Sequence, residues 1–200
     1  MPKKDMKNKE ISVSRHKKES LTFEELQRVL SVCETLEDKA LIELAVTTGI
    51  RREDIVNIEL SNIDLERRTL TFWEEKKDRW WVVALEPEVA QTLQMFINQN
   101  PNRKLLFEFS GRTAYNRFQA LLKKAGIKKH LAFHALRRTF IRLSKRMGRD
   151  IRFVMDQTGD TARVIIEEYE GYDVDELAEL MAKDGIIKRL NVNYHFINID

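Results

Sequence analysis

The chain has 200 residues, 42% of them hydrophobic and 34% charged, with a formal net charge of +3 and a single cysteine. That content can bury one core, so a single globular domain with flexible ends is expected. No apolar run approaches membrane-spanning length, the Lys-rich start lacks a signal-peptide core, and Cys33 alone excludes an internal disulfide and cannot build a metal site, which together read as a soluble, intracellular protein.

Charge is concentrated rather than spread. Residues 101–150 hold fourteen Lys/Arg against Glu108 and Asp150, a local balance of +12, and residues 1–20 add +4, while 21–100 and 151–200 are acidic at −7 and −6. Binding a polyanion needs such a basic face, not a basic average.

In chain order, residues 1–20 carry six lysines from Lys3 to Lys18 and read as a flexible basic arm. Folded structure is expected from Leu21, where Thr22 and Glu25 form a capping-box pattern, Leu21 and Leu26 a hydrophobic staple, and Leu26, Leu30 and Cys33 an apolar helical stripe. A second helix spans Leu36 to Thr48 and stops at Gly49. A short helix over Arg51 to Ile58 then presents Arg51 beside the break. From Ile63 the period changes to that of strands: Ile63 onward, Thr69 to Glu75 and Trp80 to Leu85, with turns at Glu66 to Arg68 and Lys76 to Asp78. Trp73, Trp80 and Trp81 flank the second turn, and alternation places at least one in the core. Further helices are expected at Pro87 to Ile97, Arg112 to Ala125, His134 to Met147 and Asp150 to Gln157, then one approaching Tyr169 and one from Asp173 to Ala182. The pattern is that of a mostly helical α+β domain with a small three-stranded antiparallel sheet.

At about 100° per residue, Phe140, Leu143 and Met147 fall within roughly 60° of Leu136 and form the buried stripe of their helix. His134 and Arg137 share a strip at the edge of that stripe, suited to receive a phosphate, while Arg138, Arg142, Lys145 and Arg149 occupy a solvent or DNA face. Arg51, next to a helix break, could meet a bound anion together with backbone N–H groups. The turn lysines Lys76 and Lys77 could reach a DNA groove.

These segments, in this order, resemble the catalytic domain of the tyrosine recombinase, or phage integrase, family. Thr48-Gly49-Ile50-Arg51-Arg52-Glu53-Asp54-Ile55 is similar to the family's first box, with Arg51 at its first catalytic arginine and Asp54 at its supporting acidic position. His134-Ala135-Leu136-Arg137-Arg138 is similar to the second box, and Leu21-Thr22-Phe23-Glu24-Glu25 to the start of the domain. Alignment through Val82-Val83-Ala84-Leu85 places the family's turn lysine at Lys76 rather than Lys77. Thr158-Gly159-Asp160 occupies the place of a Leu-Gly-His element, and Tyr169 lies nine residues beyond Asp160, where the family has its nucleophile; Tyr172 is the rival. Two departures stand out. Asp160 replaces a histidine or tryptophan, and the short amino-terminal arm leaves no room for the DNA-clamping domain that most members carry, so the chain reads as a catalytic fragment, one product of a divided gene or a minimal enzyme.

The resemblance implies three regions: the arm over 1–20, a DNA breaking-and-rejoining domain over 21–183, and a tail over 184–200 that docks on a neighbouring subunit. It implies a site-specific recombinase, without cofactor or metal, that acts on double-stranded DNA and self-associates as a tetramer on it, monomeric when free. Tyr169 would form a 3′-phosphotyrosyl link, Arg51 and Arg137 would hold the phosphate oxygens, His134 would donate a hydrogen bond or shuttle a proton, Lys76 would protonate the leaving 5′-oxygen, and Asp160 would fill the remaining catalytic position. Lys77, Arg138, Arg142 and Lys145 would contact DNA. The competing readings are a DNA-binding module of the same fold without catalysis and a type IB topoisomerase-like enzyme.

Overall fold

Thr22 opens the first helix (α1, Phe23–Ser31) with the expected capping box: its hydroxyl accepts from Glu25 N at 3.2 Å and its own N–H donates to the Glu25 carboxylate at 2.8 Å. In this computed structural model the described residues are 19–168 with Ala178 and Ala182. The chain divides into two compact units, residues 1–169 and 170–200. In the second, Ala178 and Ala182 are helical and exposed. The hydrophobic core and the sheet belong to the first.

The second helix (α2, Leu36–Thr48) is buried over most of its surface, at Ala40, Leu41, Ile42, Leu44, Ala45 and Val46, with Lys39, Glu43 and Thr47 half-buried along one row. A helix with so broad an apolar surface must lie largely inside the domain, and α2 is packed by α1 and by three later helices: α4 (Pro87–Gln99), α5 (Gly111–Lys124) and α6 (Ala135–Arg146). It stops at Gly49, whose left-handed φ of 67° turns the chain toward Arg51. The next helix (α3, Arg52–Ile55) is one turn long, shorter than the expected Arg51 to Ile58. The cause is a long-range pairing: Ile58 O accepts from Leu106 N at 2.8 Å and Leu60 N donates to Lys104 O at 3.0 Å, which pulls the backbone out of helical geometry.

Strands β1 (Ile63–Asp64), β2 (Thr69–Glu74) and β3 (Arg79–Ala84) form an antiparallel sheet in the order β1-β2-β3. Leu70 faces Val83, Trp73 faces Trp80 and Glu74 faces Arg79. Asp78, with a left-handed φ of 50°, closes the hairpin after a 3-10 turn at Glu75–Lys77. The inner face of β2 carries Leu70, Phe72 and Glu74, all buried. Trp73 and Trp80 stack edge to face on the outer side, 42% and 59% exposed, and of the three tryptophans Trp81 is the one packed against the core.

Helix α6 is buried more broadly than a single stripe: Arg137, Thr139, Ile141 and Ser144 join Leu136 and Phe140. Met147, expected at the foot of that stripe, is 61% exposed because the helix ends at Arg146 and Gly148 reverses the chain. Phe140 and Ile141 pack with Val154 of α7 (Ile151–Thr158) and Ile165 of α8 (Ala162–Glu168). The Gln157 amide donates to Ala84 O at 2.6 Å and accepts from Ala84 N at 3.2 Å, and Trp81 Nε1 donates to Asp156 O at 3.1 Å. The end of α7 is thereby fastened to the edge of β3. Cys33 is half-buried against the core, its thiol pushed up to about 11 by burial and by Asp38 and Glu43, which disfavours the nucleophilic thiolate. Among the described residues no helix is long and apolar enough to cross a membrane.

Candidate active site

Arg137 lies 3% exposed where the ends of α2 and α7 meet beneath α6. A guanidinium cannot lose its charge in a protein, so burying one demands acceptors for its N–H groups. Two of those acceptors are backbone carbonyls freed by helix termination: Gly49 O takes Nη1, and Thr158 O takes Nη2 at 2.9 Å. The third is the Asp160 carboxylate, which accepts from Nε at 3.1 Å and pairs with Nη2.

Asp160 reaches that position through Gly159, whose φ of 72° ends α7, and its own N–H donates to the Thr158 hydroxyl at 3.2 Å. Its other oxygen accepts from Arg51 Nη2 at 2.8 Å and lies 3.4 Å from Lys77 Nζ. Arg51 Nη1 donates to Glu74, which is 1% exposed and also holds Arg79 Nε at 2.8 Å and Lys77 Nζ at 3.1 Å. Lys77 and Arg79 both donate to Gly159 O as well, the latter at 2.8 Å. Four cations, Arg51, Lys77, Arg79 and Arg137, thus converge on two buried carboxylates.

Burial drives the Asp160 carboxyl upward, but Arg137, Arg51 and Lys77 outweigh it and hold the group below the ordinary carboxylate range. Glu74 behaves alike: burial raises it, and hydrogen bonds from Arg79, Arg51 and Lys77 bring it below its ordinary value. Asp54 goes the other way. Burial raises its carboxyl despite the Glu75 N–H at 3.4 Å and the charge of Arg51, and its Oδ2 has no hydrogen-bond partner among the described residues.

Beside this buried layer is an open cleft of about 470 Å³, lined among others by Arg51, Asp54, Lys76 and His134. His134 is exposed at the N-cap of α6 and makes no side-chain capping bond to that helix. Of the residues singled out in the sequence, Arg51, Lys76 and His134 therefore share one cleft, and Arg51 links it to Arg137 and Asp160 behind it. Lys77 turns inward where Lys76 faces the cleft. Arg138 and Arg142, expected on a DNA face, are half-buried: Arg138 donates to Glu19 O at 3.2 Å and Arg142 to the Ser20 hydroxyl at 2.8 Å, so they bind the segment entering α1. Lys145 is half-buried on the same helix. Tyr169 and Tyr172 lie outside the described residues, as does the 184–200 tail.

Glu74 and Arg79 were not anticipated. Glu74 shares the period-2 register of Leu70 and Phe72, and a carboxylate at a core-facing strand position requires buried cationic partners; that register was the available signal. Gly159 is equally constrained. A Cβ there would lie 2.9 Å from Arg79 Nη2 and 3.2 Å from Glu74 Oε2, in a left-handed conformation. Gly159→Ala is expected to lose about 1–2 kcal/mol from backbone strain and more from displacing Arg79. Gly126 has φ 67° with open space around it, so Gly126→Ala should show the strain alone, and equal losses for the two variants in urea unfolding would remove the Arg79 contribution.

The phage integrase family model matches residues 19–173. Among curated proteins, the tyrosine recombinase XerA of Saccharolobus solfataricus is 30% identical over 136 residues, 68% of this chain and 46% of that protein. The XerA of Pyrococcus horikoshii is 24% identical over 197 residues, 92% of this chain and 67% of that one. Among solved structures, a crystal structure of XerA recombinase superposes with a TM-score of 0.71 at 24% identity, covering 88% of this chain and 66% of that one. XerH recombinase in a pre-cleavage complex with its difH substrate gives 0.67 at 19%, covering 82% and 53%. The chain spans about half the length of several curated relatives it matches.

Proposed function

The chain belongs to the phage integrase family, and from that premise we propose that it is a site-specific recombinase that cleaves and rejoins double-stranded DNA through a 3′-phosphotyrosyl intermediate on Tyr169. The observation that carries this reading is the meeting of Arg51, His134 and Lys76 around one cleft with Arg137 directly behind Arg51, although these residues are far apart in sequence.

In the proposed reaction the Tyr169 phenol attacks the scissile phosphorus, the P–O5′ bond breaks, and the phosphodiester energy is kept in the P–O(Tyr) bond, so rejoining needs no nucleotide cofactor. An unperturbed phenol, with a pKa of about 10, is a weak nucleophile at neutral pH, and the arginine charges favour its ionised form during attack. Arg51 and Arg137 hydrogen-bond the non-bridging oxygens as charge builds there. His134, at the mouth of the cleft, donates a further hydrogen bond or moves the tyrosine proton.

Lys76 is the proton donor to the departing 5′-oxygen, because it faces the cleft while Lys77 is engaged by Glu74, Asp160 and Gly159 O. Basic residues of α6 and the amino-terminal arm contact the DNA backbone, and several chains assemble on the DNA.

The test is a suicide substrate: nicked duplex of candidate target sequence is incubated with the protein, denatured and examined for a covalent adduct. The adduct is expected with the wild-type chain and with Tyr172→Phe, and is expected to vanish with Tyr169→Phe. Lys76→Ala should slow cleavage of ordinary DNA and recover on a substrate with sulfur at the bridging 5′ position, since a thiolate leaves without a proton. Recovery by Lys77→Ala instead would transfer the role to Lys77. DNA binding with no adduct on any site would leave a binding module of this fold.

A further inference from the structure

The two arginines that the proposed reaction directs at the scissile phosphate are already engaged by a carboxylate. Asp160 accepts from Arg51 Nη2 at 2.8 Å on one oxygen and from Arg137 Nε at 3.1 Å on the other, with Lys77 Nζ 3.4 Å away. Two oxygens on one centre, bridged by two guanidinium groups, is also how the non-bridging oxygens of a phosphodiester would be held. The Asp160 side chain is 6% exposed, so the seat is filled rather than merely approached. Arg137 also donates to Gly49 O and Thr158 O, and Arg51 Nη1 to Glu74. The donors that the two arginines aim at one common acceptor are therefore the ones that Asp160 occupies.

We propose that Asp160 is an internal plug in the phosphate seat, which the scissile phosphate must displace before Arg51 and Arg137 can act on it. The inference rests on the recombinase reading for the identity of the ligand. An ionised carboxylate and a phosphodiester cannot share the seat without like-charge repulsion in a poorly hydrated site. Asp160 sits directly after Gly159, in the three-residue connection between α7 and α8, so its side chain can swing out of the seat by rotation about its own bonds while both helices stay in place. Bulk attraction between DNA and the basic surface would then bring the duplex to the protein first, and filling the seat would be a separate step. The plug makes the site selective for a phosphate pressed in by the surrounding duplex contacts over free anions, which lack that assistance.

Asp160→Asn keeps the shape and removes the charge. It is compared with Asp156→Asn, which removes an equal charge from an exposed residue of the preceding helix, paired with Arg152. Duplex binding is measured as a function of salt for the full chain. Asp160→Asn is expected to bind duplex more tightly than the wild type across the salt range, because no carboxylate has to be displaced, and to form the tyrosyl adduct faster. Asp156→Asn should leave both unchanged. Equal affinities for the wild type and Asp160→Asn, or the same gain in both variants, would overturn the plug.

Should Asp160→Asn not fold, the wild-type chain labelled with 15N-arginine decides. The Nε–H signals of Arg51 and Arg137 are expected to shift together on adding duplex, and signals that stay in place mean that Asp160 never leaves. The adduct separates the two ideas. An adduct with no gain in Asp160→Asn retains the recombinase and rejects the plug; a tighter duplex complex with no adduct in either protein retains the plug and rejects the cleavage chemistry.

Discussion

Arg137→Ala is expected to lower the free energy of unfolding by about 3–5 kcal/mol, the range for breaking a buried ion pair from one side. The loss arises less from the missing attraction than from what stays behind: a buried Asp160 carboxylate deprived of its closest partner, and the Gly49 and Thr158 carbonyls without a donor. Removing the stranded charge should return part of the loss, so Arg137→Ala with Asp160→Ala is expected to be more stable than Arg137→Ala alone. Urea unfolding checks both, and a double variant no more stable than the single one would mean that Asp160 is adequately held by Arg51 and Lys77. Arg51→Ala should destabilise less, because that side chain is 22% exposed and water can take over from it. In cleavage the order need not follow stability. Each arginine is expected to contribute about 10²–10³ in rate, as for a donor to a developing oxyanion, measured on the suicide substrate well below the unfolding midpoint.

Glu74→Gln is expected to cost about 1.5–3 kcal/mol, the range for hydrogen bonds to charged groups, toward the lower end because Arg51, Lys77 and Arg79 are partly exposed. The neutral amide leaves these cations facing one another, so cleavage should fall as well, through misplacement of Arg51. Protonation does to Glu74 what the substitution does, which links this variant to the response to acid. Glu74 and Asp160 both titrate below their ordinary range in the folded chain. Their stabilisation is complete above the ordinary carboxylate value of about 4 and is lost as pH falls through their depressed folded values. Asp54 has the opposite sign: its raised folded value favours the native state most in acid and is lost as pH rises through it. The difference in unfolding midpoint between wild type and Glu74→Gln should therefore shrink as pH is lowered below about 4. A difference that stays constant as pH falls below the ordinary carboxylate value of about 4 would show that Glu74 is not ionised in the native protein.

Much of the domain was legible because its signals are local. The capping box at Thr22 and Glu25, the Gly49 stop and the helix start at Pro87 each depend on residues within one turn of each other, and the structure has them where the pattern put them. Where long-range contacts intervened, local reading erred. Local pattern extends the helix after Arg51 too far, because the pairing of Ile58 and Leu60 with residues 104–106 has no local trace. Met147 was placed in the core because a wheel continues past the point where α6 ends. Arg137 was expected at the edge of its helix's buried face, and packing by α2 and α7 put it inside.

The sequence by itself determined the family, the order and type of the elements among residues 19–168, and the place of the two arginine boxes, because cap, period and motif are written within short stretches of chain. Tertiary structure alone decided which groups meet the arginines. Arg51 and Asp160 are 109 residues apart and Arg51 and Glu74 are 23 apart, and they meet only because the β2–β3 hairpin is fastened to the end of α7 by Gln157 and Trp81. An ion pair depends on distances of a few ångströms between side chains, and those are set by packing, which no local pattern encodes.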